Sequence, residues 1–316
     1  MSVLYFFQSL RTPILDTLMQ LITRFGEETV FMVAAIGVFW CVSKKDGYYL
    51  LSVGFLGTVL NQFLKLAFRI PRPWVRDPQF SIVESARAGA DGYSFPSGHT
   101  QNAVATFGGI ARFTRRRWVR GICIALAILV PISRMYLGVH TPLDVSVAFV
   151  TALVLVAVLY PVIEQTEKHP RMLTGLLAAL CVIAAGYVAY VSLHTFPADI
   201  DAANLASGTE NAWKLLGATV GMLLGSSLER RFVHFETKAP FWVQCVKLVG
   251  GLALLVGIRA GLKGPFLALF GHAGLAGAAR YLVMVVFAAA VWPMVFRPLC
   301  RAAERRVRRR SVTKGK

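Results

Sequence analysis

Residues 145–163, VSVAFVTALVLVAVLYPVI, decide the fold class because they contain no charged side chain. Three further stretches share this property: residues 121–133, 172–193 and 281–296. A helix that crosses a bilayer needs about 20 predominantly apolar residues, and these stretches approach or reach that length. A buried helix of a soluble protein could account for one of them. Four in series predict an all-α, polytopic integral membrane helix bundle.

The composition of the 316-residue chain agrees, since 56% of its residues are hydrophobic and 16% are charged. Soluble domains carry about 25% charged residues. The net charge of +18 comes from basic residues concentrated between the apolar stretches and in the tail Arg297–Lys316. This distribution is typical of cytoplasmic loops beside anionic lipid, so membrane lipids are expected partners and nucleic acid is not. The first residues lack the features of a signal peptide.

Loop charge also orders the chain across the membrane. We predict spans near residues 28–43, 47–68, 97–113, 119–137, 142–163, 172–193, 212–228, 241–260 and 280–297. With the basic loops in the cytoplasm, the segments 70–96, 138–141, 194–211 and 261–279 lie outside, and the C-terminus lies inside. The five cysteines are scattered, with neither zinc spacing nor evident disulfide pairing.

Four regions follow from this topology. Residues 1–27 mix apolar and charged side chains, which favours an amphipathic segment at the outer interface over a tenth span. Residues 28–165 form a membrane core, 166–297 add further transmembrane helices, and 298–316 form a basic cytoplasmic tail. Segment 70–96 is rich in proline and glycine, so we expect a long functional loop with little regular structure.

Gly217, Gly221 and Gly225 recur every four residues on one predicted helix face. Small residues at this spacing let helices approach closely. The face could pack within the chain or form a homo-oligomer interface, and we favour the first.

Charged and polar residues next to the spans indicate the chemistry, because such groups are costly in a membrane. Lys65 near the end of the second span could extend to the interface, or it could act with Arg72. Pro96-Ser97-Gly98-His99 precedes an apolar helix, whose free N–H groups at Ser97, Gly98 and His99 would form an anion cradle.

A third cluster contains Ser133, Arg134, His140 and Asp144. Asp144 is placed to cap a helix that begins at Pro142. It could also accept a hydrogen bond from His140 and so make the other ring nitrogen nucleophilic. Arg134 could hold two phosphate oxygens.

The predicted topology places all of these side chains on one exterior face. Three cations, a helix N-terminus and two histidines suit a phosphate dianion. A metal site would need more converging carboxylates or cysteines, so we expect no metal and no cofactor.

Three motifs resemble the type-2 phosphatidic acid phosphatase superfamily: Lys-x6-Arg-Pro at Lys65 to Arg72-Pro73, Pro-Ser-Gly-His at Pro96 to His99, and Ser-Arg-x5-His-x3-Asp at Ser133-Arg134, His140 and Asp144. All three are complete, in order and correctly spaced, and the resemblance covers roughly residues 28–163. The stretch Arg69–Trp74, with Gly26-Glu27, is also similar to the sphingosine-1-phosphate phosphatase branch.

The resemblance implies a metal-independent lipid phosphate phosphatase. His140 would be the nucleophile that forms a phosphohistidine, Asp144 would orient it, and His99 would be the proton donor. Phosphate would be bound by Lys65, Arg72, Ser97, Gly98 and Arg134. The substrate would be a sphingoid-base phosphate, phosphatidate or a similar phosphomonoester.

The same residues are also compatible with other functions. An undecaprenyl pyrophosphate phosphatase would use the same site, and haloperoxidases share it but are soluble, which the many spans disfavour. A lipid-binding protein or transporter would not need the poised His140–Asp144 pair. Compact loops favour a bacterial cell membrane, with the site on its extracytoplasmic face.

Overall fold

The computed structural model describes residues 1–90 and 92–301, and in those ranges the chain forms helices and no β-strand. The first half contains α1 Ser2–Ser9, α2 Pro13–Arg24, α3 Glu28–Cys41, α4 Lys44–Phe68, α5 Pro73–Arg76, α6 Gly98–Ala103, α7 Gly109–Phe113, α8 Arg117–Tyr136 and α9 Pro142–Gln165. The second half contains α10 Pro170–Leu193, α11 Ala202–Leu228, α12 Phe241–Cys245, α13 Gly251–Gly261, α14 Lys263–Phe270 and α15 Ala273–Val286. The predicted all-α fold is confirmed.

Several of these helices continue through a π-helical turn, in which the hydrogen-bond ladder widens by one residue. Val104–Gly108 joins α6 to α7, and Val246–Gly250 joins α12 to α13. Glu229–Val233 extends α11, and Phe287–Val291 extends α15. The predicted spans 97–113 and 241–260 are therefore continuous helical rods with a local widening.

Six helical segments of the described chain are long and apolar enough to cross a membrane, and the protein is a multi-pass membrane protein. They correspond to six of the nine predicted spans. The other three predicted spans are α3, which has 14 residues, the α6–α7 rod and α11.

Two predicted loops are wrong in extent, because helix caps rather than hydropathy set where helices begin. The segment predicted as loop 194–211 is helical from Ala202 onward, where the Asp201 side chain accepts a hydrogen bond from the Asn204 amide at 2.8 Å. The segment 261–279 contains α14 and the start of α15, where His272 Nδ1 accepts from the Leu275 amide at 3.3 Å. Segment 70–96 agrees with prediction, with α5 and the short 3₁₀ turn Glu84–Gly89 as its regular structure.

The N-terminal segment forms α1 and α2, and α2 packs against α8. Thr12 caps α2, and Pro13 occupies its first turn. Three apolar side chains of α2 face outward, with exposed fractions of 81% for Ile14, 47% for Leu18 and 52% for Leu21. This amphipathic pattern fits the predicted interfacial placement, which stays a prediction. Of the predicted basic tail 298–316, residues 302–316 lie outside the described residues.

One hydrophobic core joins the two halves of the described chain, with buried side chains from α3, α4, α9, α10, α11, α13 and the π-helical turn that extends α15. Trp40 Nε1 donates to the Ala288 carbonyl at 2.8 Å across these halves. Lys44 and the buried Glu229 form an ion pair at 2.8 Å. The C-terminal helices are thus packed directly onto the helices that carry the predicted site.

The face formed by Gly217, Gly221 and Gly225 is covered by α15 of the same chain. A β-carbon at Gly221 would lie 2.9 Å from the Leu282 carbonyl oxygen, and one at Gly217 would collide with the Ala278 backbone. Close packing within the chain is therefore confirmed. In the described chain α15 occupies this face, and the predicted homo-oligomer stays a prediction.

Candidate active site

Four helix ends converge at one end of the bundle, which we call the His140 end. The C-terminal ends of α4 and α8 bring Lys65 and Arg134, and the N-terminal ends of α6 and α9 bring His99 and Asp144. Segment 70–96 adds Arg72. All eight predicted site residues meet there, including Ser97 and Gly98 at the start of α6.

His140 lies at the centre with 2% of its side chain exposed. Its Nε2 is 3.0 Å from Arg72 Nη1. A guanidinium can donate hydrogen bonds and cannot accept them, so Nε2 is the unprotonated nitrogen and the proton lies on Nδ1. Nε2 thus carries the free electron pair that a nucleophile needs.

The surroundings of His140 keep its ring neutral. Burial lowers its pKa well below the usual value, and the positive charges of Arg72, Arg134 and Lys65 lower it further. Because the neutral ring is the nucleophilic form, the site favours the reactive state of His140 at physiological pH.

Asp144 is buried and forms a capping box with Thr141 at the start of α9. Its Oδ2 accepts hydrogen bonds from Ser94 Oγ at 2.6 Å and from the Thr141 amide at 2.7 Å. The predicted capping role is confirmed. The same Oδ2 lies 3.6 Å from His140 Nδ1, which is an electrostatic contact and longer than a hydrogen bond.

Arg72 is buried and held by backbone carbonyls. Nε donates to Gly92 at 3.0 Å, and Nη1 donates to Val139 at 2.9 Å. Its guanidinium also lies against the Trp74 ring, 5.9 Å from the ring centroid. These contacts fix the charge of Arg72 beside Nε2 of His140.

Arg134 is 1% exposed and enters the site from α8. Its Nη1 donates to Thr23 Oγ1 at 3.0 Å, and its Nη2 lies 3.5 Å from the Gly89 carbonyl oxygen. Its Nε has no hydrogen-bond partner among the described residues. The guanidinium thus retains donors for an anionic ligand.

Lys65 donates from Nζ to the Tyr93 carbonyl of segment 70–96. The Lys65 side chain is therefore directed toward segment 70–96 at the His140 end. One turn earlier on α4, the buried Asn61 donates from Nδ2 to the Pro96 carbonyl at 3.4 Å. The last turns of α4 and the segment before α6 are thereby tied together.

The predicted anion cradle at the start of α6 is smaller than expected. The Ser97 amide donates to the Asp144 carbonyl at 3.1 Å, so it is not free for a ligand. Ser97 Oγ caps the helix, accepting from the Thr100 amide at 3.4 Å and from Thr100 Oγ1 at 3.0 Å. The N–H groups of Gly98 and His99 remain as donors at this terminus.

The residues that converge here lie in a segment with a family match. Residues 46–168 match the PAP2 superfamily, and residues 213–305 match the transmembrane extension of PAP2 superfamily phosphatases. The chain belongs to the PAP2 superfamily. The two matches together take in the His140 end and the C-terminal helices packed beside it.

Several proteins that are similar to this chain are phosphatases by name. The undecaprenyl-diphosphatase BcrC of Bacillus subtilis is 31% identical over 144 residues, 45% of this chain and 72% of the relative. Phosphatidylglycerophosphatase B of Bacillus subtilis is 32% identical over 159 residues, 46% of this chain and 74% of the relative. Sphingosine-1-phosphate phosphatase 1 of Rattus norvegicus is 25% identical over 258 residues, 76% of this chain and 58% of the relative. No solved structure matches the chain.

Three residues that touch the PAP2 motifs were not found from the sequence. Asn61 could have been noticed as a polar residue four positions before Lys65 in an apolar helix. Ser94 and Thr23 carry no comparable signal, because their contacts with Asp144 and Arg134 join segments far apart in the chain.

Proposed function

We propose that this PAP2-superfamily protein hydrolyses a lipid phosphomonoester through a phosphohistidine on His140. The observation that carries the proposal is the buried, neutral His140 with Nε2 facing the fixed cation Arg72. Arg134 and Lys65 add two further charges close enough to act on the ring. A nucleophile surrounded by cations suits a phosphate dianion, whose charge they would stabilise during transfer.

In the first step, Nε2 of His140 attacks phosphorus and the phosphorus–oxygen bond to the lipid breaks. Arg72 must release Nε2 and turn to a phosphate oxygen before the attack. Asp144, 3.6 Å from Nδ1, stabilises the positive charge that develops on the ring. The leaving oxygen takes a proton from His99, whose protonated form a bound dianion favours.

In the second step, His99 takes a proton from water as the water oxygen attacks phosphorus. The phosphorus–nitrogen bond breaks, and its electron pair returns to His140 Nε2. Phosphate and a free lipid alcohol are the products, and His99 regains its proton. The three basic side chains and the free amides of Gly98 and His99 supply the charge stabilisation, so the reaction proceeds without a metal.

A sphingoid-base phosphate is the proposed substrate. Sphingosine-1-phosphate phosphatase 1 of Rattus norvegicus aligns with 76% of this chain, whereas BcrC aligns with 45%. The alternative is a prenyl diphosphate, favoured by the higher identity of BcrC, which is 31% against 25% for the sphingosine-1-phosphate phosphatase. The basic loops favour a site on the extracytoplasmic face, and the compact loops favour a bacterial cell membrane.

The experiment is phosphate release from purified protein in detergent, with sphingoid-base phosphate, phosphatidate and prenyl diphosphate compared. We expect His140→Ala to abolish turnover and His99→Ala to lower it by roughly 10²–10⁴-fold. His169→Ala, at an exposed position before α10, is the matched control and should match wild type.

Four outcomes would contradict parts of this proposal. Phosphate release by His140→Ala at the wild-type rate would show that His140 is not the nucleophile. Lipid transfer without phosphate release would indicate a transporter. Activity lost in excess chelator would contradict the metal-free mechanism. Faster turnover of prenyl diphosphate than of sphingoid-base phosphate would favour the alternative substrate.

A further inference from the structure

The N-terminal helix α2 contacts the site although it precedes the matched residues 46–168. Thr23, on its last turn, accepts a hydrogen bond at Oγ1 from Nη1 of the buried Arg134, at 3.0 Å. The remaining acceptor of this guanidinium is the more distant Gly89 carbonyl at 3.5 Å. The hydroxyl of Thr23 is therefore the closest acceptor that orients Arg134 in the described chain.

Helix α2 is itself held firmly on the end of α8. Tyr136 donates from its hydroxyl to Asp16 Oδ1 at 2.8 Å. Arg11 donates to the Tyr136 carbonyl at 3.2 and 3.1 Å, and to the Ser81 carbonyl at 2.7 Å. Tyr136 follows Arg134 by two residues, so these bonds fix Thr23 relative to the guanidinium it contacts.

The turn after α2 packs directly on the other catalytic histidine. A β-carbon at Gly26 would lie 2.7 Å from the His99 carbonyl oxygen and 2.8 Å from a methyl carbon of Val130. These separations are shorter than van der Waals contact allows. The segment from Thr23 to Gly26 thus contacts the site at two points, Arg134 through Thr23 and His99 through Gly26.

We propose that Thr23 is a positioning residue, which holds the Arg134 guanidinium in the orientation that binds the substrate phosphate. This inference rests on the proposed function. A neutral hydroxyl is suited to the task because it orients the guanidinium without cancelling its charge. A carboxylate at this position would pair with Arg134 and compete with phosphate for it.

Three variants of the full chain test the proposal. Thr23→Val keeps the shape of the side chain and removes the acceptor, and Thr23→Ser keeps the acceptor. Thr17→Val is the matched control, because Thr17 is exposed on the same helix and bonds only to the Pro13 carbonyl among the described contacts. Each protein is assayed for phosphate release, for competitive inhibition by inorganic phosphate, and for melting temperature in detergent.

We expect Thr23→Val to weaken phosphate inhibition and kcat/KM by about tenfold, the effect of one hydrogen bond to a charged group. Thr23→Ser should restore both to within twofold, and Thr17→Val should match wild type. Phosphate inhibition and kcat/KM unchanged in Thr23→Val would overturn the proposal. So would losses that Thr23→Ser does not restore, since they would show a purely structural role.

The same series separates this inference from the proposed function. A wild-type protein that releases no phosphate from any lipid would overturn the proposed function itself. An active wild type, inactive His140→Ala and unaffected Thr23→Val would leave that function intact and reject the role of Thr23 alone.

Discussion

Replacing Asp144 with asparagine separates its role as a helix cap from the catalytic role proposed for it. In the wild-type protein, Ser94 Oγ and the Thr141 amide donate to Oδ2 of Asp144 at 2.6 and 2.7 Å. Asp144→Asn keeps the size of the side chain and one oxygen that can accept these two hydrogen bonds. It removes the negative charge 3.6 Å from His140 Nδ1. The hydrogen bonds of the carboxylate should become weaker ones to a neutral oxygen, and the stabilisation of a charged His140 ring should be lost.

The expected losses of folding stability and of kcat differ in magnitude. Hydrogen bonds to a charged acceptor exceed neutral ones by about 1 kcal/mol each, so two such bonds predict a stability loss of about 2 kcal/mol. Asparagine in place of the orienting carboxylate of a catalytic triad lowers kcat by about 10⁴, and we expect a loss of roughly 10²–10⁴ here. This corresponds to about 3–5 kcal/mol in the activation free energy. The catalytic loss should therefore exceed the loss of stability.

The assay measures kcat for lipid phosphate release and melting temperature in detergent for the same preparations. Ser43→Ala is the control, because Ser43 caps α4 at the opposite end of the bundle by accepting from the Asp46 amide at 3.2 Å. It should cost about 1 kcal/mol of stability and leave kcat unchanged. If Asp144→Asn loses stability but keeps kcat within tenfold of wild type, Asp144 is a helix cap and has no role in catalysis.

Two further predictions follow from other contacts. Arg72→Gln removes the cation nearest His140, so the pKa of His140 should rise and the acid limb of kcat/KM should move to higher pH. The control Arg76→Gln, at an exposed position of the same segment, should leave the acid limb of kcat/KM at its wild-type pH. An acid limb that moves in neither variant would contradict the electrostatic argument. Gly217→Leu should lower the free energy of unfolding by about 3 kcal/mol because its side chain meets the α15 backbone. Gly186→Leu faces open space and should have little effect on the melting temperature, and equal effects of the two would refute the close packing.

Local sequence was sufficient for the helices and for most of the site. Apolar stretches such as residues 145–163 must be helical in a bilayer, since each backbone polar group needs a partner within its own segment. The site residues cluster at helix ends, and the alternation of basic loops predicts which ends share a side. The sequence therefore predicts the six charged or ionisable residues of the site, which are Lys65, Arg72, His99, Arg134, His140 and Asp144.

Helix boundaries and hydrogen-bond partners are harder to predict from the sequence. The side chains of Asp201 and His272 begin helices inside segments predicted as loops, and hydropathy carries no information on such caps. The Ser97 amide was predicted to be free, but it donates to the Asp144 carbonyl. That bond depends on how α6 and α9 approach each other.

By itself the sequence determined the membrane class and the order of the helices and predicted the site residues, because these depend on composition and short-range spacing. The tertiary structure alone decided that Gly217 packs on α15 and that Thr23 contacts Arg134. It also decided that Arg72 faces Nε2 of His140. Each of these contacts joins residues distant in the chain, and their geometry depends on helix packing over the whole bundle. The physical reason is that spacing along one helix specifies a face, whereas the partner of that face is chosen by all the helices together.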